Sequence, residues 1–324
     1  MKILEREISP PKRNYLKIET SGLSKELDSI ISIAIYEKDS KIAKIFYVEN
    51  FKDEEKLLKE AVPFIEGKKF VTYSGKSFDL PFLKTKYDFY FSKKVDLELI
   101  DLQEISRKYN FIYKLPSHSN KILLKKFIKE SDNNKKEYQG IKIKSLFKNY
   151  IEGDKNAMGK IIEYSFNSID NLVKLDESIR EDLKNKIKID ILNSEFFMED
   201  FKILENIIEI SGKTSYSKDY FATNSIYTLE ILNQTNEESF LYLEKYTKTF
   251  VLKINTDDGL YDENNKCFYL LKKELPFKIT NKSEIKSPSK ILILYYRDHI
   301  FENQKELCKK ILELELSRQN IDKL

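Results

Sequence analysis

Cysteine and histidine are scarce in this sequence, with two of each among 324 residues. Cys267 and Cys308 lie far apart and form no CxxC spacing, so neither a thiolate metal site nor a disulfide framework is predicted. His118 and His299 belong to no ligand-like cluster, which leaves a histidine metal site and a Ser-His-Asp triad without support. Catalytic chemistry, if present, must therefore use other residue types.

Phosphate-binding loops and long apolar runs are also missing. Neither G-x-x-x-x-G-K-[ST] nor G-x-G-x-x-G occurs, so no nucleotide cofactor is predicted. No apolar run approaches the roughly 20 residues that cross a bilayer. The first residues, MKILEREISPP, lack the apolar core of a signal peptide. We therefore expect no membrane association and a cytoplasmic location.

Charge is plentiful and unevenly distributed. Charged residues make up 34% of the chain, hydrophobic residues 41%, and the formal net charge is +4, a composition typical of a folded, soluble protein. Residues 121–148 contain nine lysines against three acidic residues, a local net charge of +6. This segment is either a binding surface for a polyanion or a solvated lysine-rich helical face.

Hydrophobic periodicity predicts two domains of different character. The first, over residues 12–210, has the order β-β-β-α-β-α-β followed by helices, which predicts an α/β fold. Its strands are expected at 15–20, 30–36, 44–48, 69–73 and 98–102. After a linker-like stretch at 211–215, strand patterns recur at 227–232, 239–243, 249–255, 267–272 and 291–296. These patterns predict a smaller β-rich domain over residues 211–324 that ends in a helix at 301–318.

Three carboxylates stand at the junctions of the predicted elements. Glu19 ends the first strand, Asp79 follows a strand and a turn, and Asp170 lies beside the apolar face of a helix. Strand ends and helix starts at one sheet edge can bring such residues together. Converging carboxylates bind hard divalent cations such as Mg²⁺. Two such ions about 4 Å apart activate water for phosphodiester cleavage.

Three short motifs carry a resemblance to a known family. They read KIETSGL at 17–23, YSGKSFDLPFL at 73–83 and FNSID at 166–170, with IDL at 100–102 between the last two. Together with the element order, they resemble the DEDD 3′-to-5′ exonuclease superfamily of the ribonuclease H-like fold, most closely its YprB-like branch. In that branch the motifs read like D-I-E-T-T-G-L, Y-N-G-K-x-F-D-x-P-F-L and Y/H-N-x-x-D. The resemblance covers about residues 12–180.

The resemblance implies a ribonuclease H-like mixed sheet flanked by helices, with DNA or RNA as the partner. Glu19, Asp79 and Asp170 would hold Mg²⁺ or Mn²⁺ if the protein is active. Residues expected to contact nucleic acid lie in the motifs and in the lysine-rich segment: Thr20, Ser74, Lys76, Phe78, Arg107, Lys121, Lys125 and Lys126.

Two departures from the family pattern affect catalysis. Lys17 stands where the family has the aspartate that bridges both ions, and Phe166 stands where it has the general base. Ser74 also replaces an asparagine. Because an ammonium disfavours metal binding, Lys17 is interpreted as an internal counter-ion of the acids, and the site as degenerate.

Three functions follow from this pattern. The preferred one is a nucleic-acid-binding protein with lost or weakened metal-dependent hydrolysis. An active Mg²⁺- or Mn²⁺-dependent 3′-to-5′ exonuclease on DNA or RNA is the alternative. A non-catalytic structural or protein-interaction module is the second alternative.

Overall fold

The computed structural model describes residues 1–128, 140–233, 239–241 and 246–321. They form two compact units, Met1–Ile179 and Arg180–Leu324. The predicted domain boundary at 210/211 lies beyond the division between these units, and the domain assignment stays a prediction. None of the helices in the described ranges is both long enough and apolar enough to cross a bilayer.

The first unit is built on a mixed six-stranded sheet in the order β1-β4-β3-β2-β5-β6. Its strands are β1 (Lys2–Glu7), β2 (Asn14–Thr20), β3 (Ile30–Tyr36), β4 (Ile42–Tyr47), β5 (Lys68–Thr72) and β6 (Leu97–Asp101). The pairs β2–β5 and β5–β6 are parallel and the others antiparallel. Strand β1 was not predicted, because its mostly exposed residues lack the buried alternation of the other strands.

Seven α-helices of the described residues accompany this sheet. They are α1 (Glu54–Ala61), α2 (Asp79–Phe91), α3 (Leu102–Lys108), α4 (Asn110–Tyr113), α5 (Asn120–Phe127), α6 (Gly140–Ile151) and α7 (Lys155–Ile187). The apolar side chains of α1 at 57, 58 and 61 are buried, as their helical spacing requires. The predicted α/β class, with a mixed sheet flanked by helices, is confirmed.

Helix α7 is fixed across one face of strands β2 and β3. Asp176, which is fully buried, accepts hydrogen bonds from Arg13 Nη1 at 3.2 Å and from the Tyr15 hydroxyl at 2.7 Å. Nearer the start of the helix, the hydroxyls of Ser165 and Ser32 lie 3.2 Å apart. Buried charges persist only when they are paired and hydrogen-bonded, so these contacts determine how the helix lies over the strands.

The second unit contains two antiparallel sheets. The first sheet comprises β7 (Lys188–Ile191), β8 (Ser194–Leu204), β9 (Ile207–Thr214), β10 (Tyr220–Thr223), β11 (Tyr227–Asn233) and β12 (Lys248–Asn255). The second comprises β13 (Asp257–Leu260), β14 (Lys266–Leu271), β15 (Ile291–Tyr296) and β16 (Asp298–His299). Helix α8 (Phe301–Ile321) ends the described chain. The predicted β-rich region with a C-terminal helix is confirmed.

Two expectations for this unit were wrong. Residues 188–204 were predicted to be helical, but they form β7 and β8, joined at Leu192 and Asn193, both of which have positive φ. The stretch 211–215 was predicted to be a linker, but it lies mostly in β9. Gly212 is required there because a Cβ would lie 1.7 Å from the carbonyl oxygen of Phe197, beside a bulge in β8. Gly212 therefore marks the close approach of β9 to β8 and not a linker.

The predicted strand at 239–243 is not formed at its described residues. Ser239 and Leu241 are buried outside any strand. Residues 242–245 lie outside the described residues, as do residues 129–139 of the lysine-rich segment.

Candidate active site

Lys17 and Glu19 lie side by side on the face of β2 that α7 covers. Alternate residues of a strand point to the same face, and Tyr15, bonded to Asp176 of α7, defines that face. Lys17 Nζ lies 3.4 Å from Glu19 Oε1. The Glu19 side chain is 9% exposed, whereas that of Lys17 is 30% exposed. The pair therefore lies in a recess in which Lys17 is the more exposed side chain and the Glu19 carboxylate lies deeper.

Asp79 reaches the same place from the turn that follows β5. It is the first residue of α2 and is only 4% exposed. The turn before it is tight, since a Cβ on Gly75 would lie 2.2 Å from Thr72 Oγ1. Ser74 has a φ of 57°, a left-handed conformation in which asparagine and glycine are the favoured residues. Serine thus adds a small local strain where the resembled family has asparagine.

Asp101 holds this turn in place from the end of β6. Its Oδ1 accepts hydrogen bonds from the backbone N–H groups of Ser74 at 2.9 Å and Gln103 at 2.9 Å. Its Oδ2 accepts one from the backbone N–H of Lys76 at 3.1 Å. Asp101 is 4% exposed and also caps helix α3. One buried carboxylate therefore orders both the turn before Asp79 and the start of the next helix.

The electrostatics of the centre follow from two buried acids beside one ammonium. Burial, reinforced by the charges of Glu19 and Asp101 and opposed by Lys17, raises the pKa of Asp79 to about 7. Burial also raises the pKa of Glu19, again opposed by Lys17. Burial lowers the pKa of Lys17, but the charges of Glu19 and Asp79 outweigh that effect and raise it overall. Lys17 therefore remains a cation, while Asp79 takes up a proton near neutral pH.

Asp79 is expected to make folding stability fall as pH rises from 4 to 7. An unfolded aspartate has a pKa near 3.9, so in this window the folded chain binds the extra proton, and its stability falls by at most about 1.4 kcal/mol per pH unit. Above pH 7 both states are ionised and the contribution becomes constant. Urea unfolding at pH 4.5 and 7.5 should show Asp79→Asn gaining stability relative to the unmodified chain at the higher pH. Asp88→Asn removes an exposed acid of the same helix and is the matched control. If the difference in unfolding free energy between Asp79→Asn and the unmodified chain is the same at both pH values, the raised pKa of Asp79 is contradicted.

Asp170 points away from this centre. Its carboxylate pairs with Lys174 one turn further along α7, at 2.7 Å, and is 35% exposed. Burial is the main cause of the raised pKa of Tyr36, and the negative charge of Asp170 raises it further. Tyr36 lies four residues beyond Ser32, the cross-strand partner of Glu19, which corresponds to about 13 Å along β3. The structure brings Lys17, Glu19 and Asp79 together and leaves Asp170 outside.

Phe166 is likewise directed elsewhere. It is buried, and the guanidinium of Arg6 on β1 lies 4.1 Å from the centre of its ring. The side chain of α7 that acts on Lys17 is Tyr164, whose hydroxyl contributes to the raised pKa of the lysine. Tyr164 lies two residues before Phe166 on α7, so the two side chains leave the helix in different directions. The buried side chains of α7 form a stripe that includes Ile161 and Ser165, and this stripe is the signal that could have located Tyr164.

These donors do not fit a pair of divalent cations. Glu19 and Asp79 supply carboxylates, but the Lys17 ammonium lies 3.4 Å from Glu19 and carries the charge that a cation would bring. In the part of the chain that the structure describes, no group of three or more acidic, histidine or cysteine side chains could hold a metal ion.

The predicted nucleic-acid contacts fall into two groups. Those in the motifs surround the turns: the Thr20 hydroxyl donates to the Gly22 carbonyl at 2.6 Å, and Lys76 Nζ pairs with Glu104 at 2.7 Å. The Phe78 ring packs 4.9 Å from that of Phe82. Ser74 supplies the left-handed turn residue described above. These side chains have local structural partners, so their contact with nucleic acid stays a prediction.

The second group is an exposed basic segment that is joined to the Ser74 turn. Residues 102–128 contain six basic residues and one acidic residue. Arg107, Lys121, Lys125 and Lys126 are all exposed. The segment is attached to the turn because the Tyr73 hydroxyl and Gln103 Nε2 both donate to the carbonyl of His118, the latter at 3.0 Å. We call residues 102–128 the basic segment.

The first unit is thus a mixed α/β sheet flanked by helices, with a buried acidic centre where β2 and β5 end. A family model of the RNase_H superfamily matches residues 14–180, just over half of the chain. The chain belongs to the RNase_H superfamily.

Two solved structures are similar to the chain. One, described as the apo form of a nuclease, has a TM-score of 0.35 and 15% identity, over 52% of this chain and 74% of that one. The other is the zinc-bound form of the Escherichia coli ExoI–ssDNA complex, with a TM-score of 0.31 and 12% identity. That match covers 62% of this chain and 54% of the ExoI chain. Among curated proteins, no sequence matches this one.

Proposed function

We propose that this chain binds DNA or RNA and has lost, or retains only weakly, the metal-dependent hydrolysis of phosphodiester bonds. The observation that carries the proposal is the position of Lys17, whose ammonium lies 3.4 Å from Glu19 and acts electrostatically on Asp79. Membership of the RNase_H superfamily and the basic segment support a nucleic-acid partner. The three motifs support the DEDD type and its YprB-like branch.

Charge explains why hydrolysis should be weak. A cluster that holds two divalent cations needs several carboxylates to offset their charge. Here one expected carboxylate is an ammonium, and each like-charge contact at 4 Å costs on the order of 4 kcal/mol at an effective dielectric of 20. Asp170, the third expected ligand, is paired with Lys174 instead. Mg²⁺ or Mn²⁺ would therefore bind weakly, if at all, between Glu19 and Asp79.

The basic segment offers a reason for binding to persist without catalysis. Binding to a nucleic-acid backbone depends mainly on cations that displace condensed counterions, and it does not require chemistry at the acidic centre. Arg107, Lys121, Lys125 and Lys126 keep exposed side chains in this segment, which is joined to the turn before Asp79 through the His118 carbonyl.

The test measures binding and cleavage separately. Anisotropy of fluorescent single- and double-stranded DNA and RNA, in EDTA over a range of salt concentrations, should reveal binding that weakens steeply with salt. The same substrates with Mg²⁺ or Mn²⁺ should remain uncut or be cut slowly. Robust cleavage by the unmodified chain would refute the proposal in favour of an active exonuclease. Absence of any salt-sensitive binding would favour a structural or protein-interaction module.

A triple variant tests the basic segment itself. The salt slope is the steepness with which the logarithm of the binding constant falls with the logarithm of the salt concentration. Changing Lys121, Lys125 and Lys126 to glutamine should lower this slope for single strands by about 2, since each lost phosphate contact lowers it by about 0.7. The matched control changes the exposed lysines Lys52, Lys56 and Lys59 to glutamine. It has the same effect on net charge, and its salt slope should stay close to that of the unmodified chain. Equal slopes for the two triple variants would contradict the role of the segment.

A further inference from the structure

At this centre the lysine is more exposed than the two acids. The Lys17 side chain is 30% exposed, against 9% for the Glu19 side chain and 4% for Asp79. A two-metal centre needs the opposite arrangement, in which carboxylate oxygens face the opening and receive cations. A ligand that enters this recess therefore meets the Lys17 side chain before it meets either acid.

The ammonium is not saturated by its neighbour. The 3.4 Å separation between Lys17 Nζ and Glu19 Oε1 exceeds the 2.7–2.9 Å of a good charge-assisted hydrogen bond. Within the described residues, Glu19 Oε1 accepts no hydrogen bond at all. An ammonium has three N–H donors, so Lys17 can orient them toward an incoming acceptor while Glu19 stays nearby as a counter-charge.

We propose that the Lys17 ammonium binds a backbone phosphate of the nucleic acid directly, so that this centre takes an anion where a nuclease takes divalent cations. This inference rests on the proposed function and specifies the group that the centre holds. A lysine ammonium is a compact charge that suits phosphate oxygens. The basic segment, joined to the turn of Asp79, would deliver the strand. Glu19 repels the same phosphate and therefore limits the affinity.

The role of Glu19 gives the sharpest test. Glu19→Gln removes the competing negative charge and keeps the shape, so in EDTA it should tighten binding of a fluorescein-labelled dT12 about threefold. Because no cation is bound in EDTA, a gain in affinity reports that the phosphate lies within electrostatic reach of Glu19. A Glu19→Gln variant that binds dT12 more weakly in EDTA would overturn the inference.

A second comparison removes the cation without leaving Glu19 as an unpaired buried charge. Lys17→Met combined with Glu19→Gln should weaken dT12 binding about fivefold relative to Glu19→Gln alone and lower the salt slope by about 0.7, as expected for one lost phosphate contact. Lys17→Arg should keep the slope of the unmodified chain. An unchanged slope in the double variant, with dT12 still bound, would overturn this inference and leave the proposed function intact.

Inorganic phosphate provides a readout that does not depend on nucleic acid. The Lys17 Nζ resonance, assigned by its loss in Lys17→Arg, should shift in a phosphate titration, and the shift should be larger in Glu19→Gln. If the chain binds none of the single- and double-stranded DNA and RNA substrates at any salt concentration, the proposed function fails. A phosphate titration that leaves the Lys17 resonance unmoved would overturn the anion site itself.

Discussion

Replacing Lys17 with aspartate is expected to raise the affinity of the centre for Mn²⁺ at least 100-fold. The change converts one positive charge into a negative one beside Glu19 and Asp79, which already lie in the same recess. A 100-fold gain needs about 2.7 kcal/mol, less than the roughly 4 kcal/mol that a single like-charge contact costs at an effective dielectric of 20. Isothermal titration calorimetry with Mn²⁺ in a buffer without phosphate would measure it.

A lysine elsewhere in the same sheet supplies the control for Lys17→Asp. Lys44 on β4 also lies 3.4 Å from a glutamate, Glu5, and its side chain is 26% exposed. Glu5 is 50% exposed, so Lys44→Asp makes the same charge change beside a solvated acid and should gain little Mn²⁺ affinity. Micromolar Mn²⁺ binding by the unmodified chain, or equal affinities for the two variants, would show that Lys17 does not control metal binding.

Asp101→Ala is expected to lower the free energy of unfolding by about 3–5 kcal/mol, because three backbone N–H groups lose a charged acceptor and each such loss costs about 1–3 kcal/mol. The donors are those of Ser74, Lys76 and Gln103, at 2.9–3.1 Å. Water entering the opened turn would recover part of the sum of these costs. Urea unfolding would measure the change.

Two variants separate the charge of Asp101 from its hydrogen bonds. Asp101→Asn keeps one carbonyl acceptor and should lose roughly half as much stability as Asp101→Ala. Glu104→Ala removes an exposed acid of α3, the helix that Asp101 caps. Glu104 pairs with Lys76 at 2.7 Å, and its loss should cost less than about 1 kcal/mol, as the loss of an exposed pair usually does. If Asp101→Ala and Glu104→Ala destabilise the chain equally, Asp101 does not order the turn.

The sequence predicts the first unit well because its strands are strongly patterned. Strand β3 is apolar at nearly every position and β2 is flanked by turns, so both were found within one or two residues of their bounds. The errors fall where a pattern is ambiguous over a short range. Strands β7 to β9 follow a long helix without a proline or glycine break. Gly212 is typical of a linker in sequence, but the close approach of β9 to Phe197 is what requires it.

The candidate site was predicted only where local spacing determines geometry. Lys17 and Glu19 share a face because they are two residues apart on a strand, and Asp79 begins a helix after a tight turn. The rotation of α7 could not be obtained in this way. Its buried stripe passes through Ile169, and Asp170 lies about 100° further around the helix, outside the stripe. Only the packing of α7 on β2 and β3 determines that rotation.

Strand β2 is an interior strand of its sheet, paired with β3 on one side and β5 on the other. Its position is held by backbone hydrogen bonds and by Leu16 and Ile18 on the face opposite Lys17 and Glu19. The identity of residue 17 therefore has little influence on the topology, although it determines the sign of the charge offered to a ligand. In evolutionary terms, the scaffold and its ligand preference are separable, and one exchange at residue 17 could change the preference in either direction without a new fold.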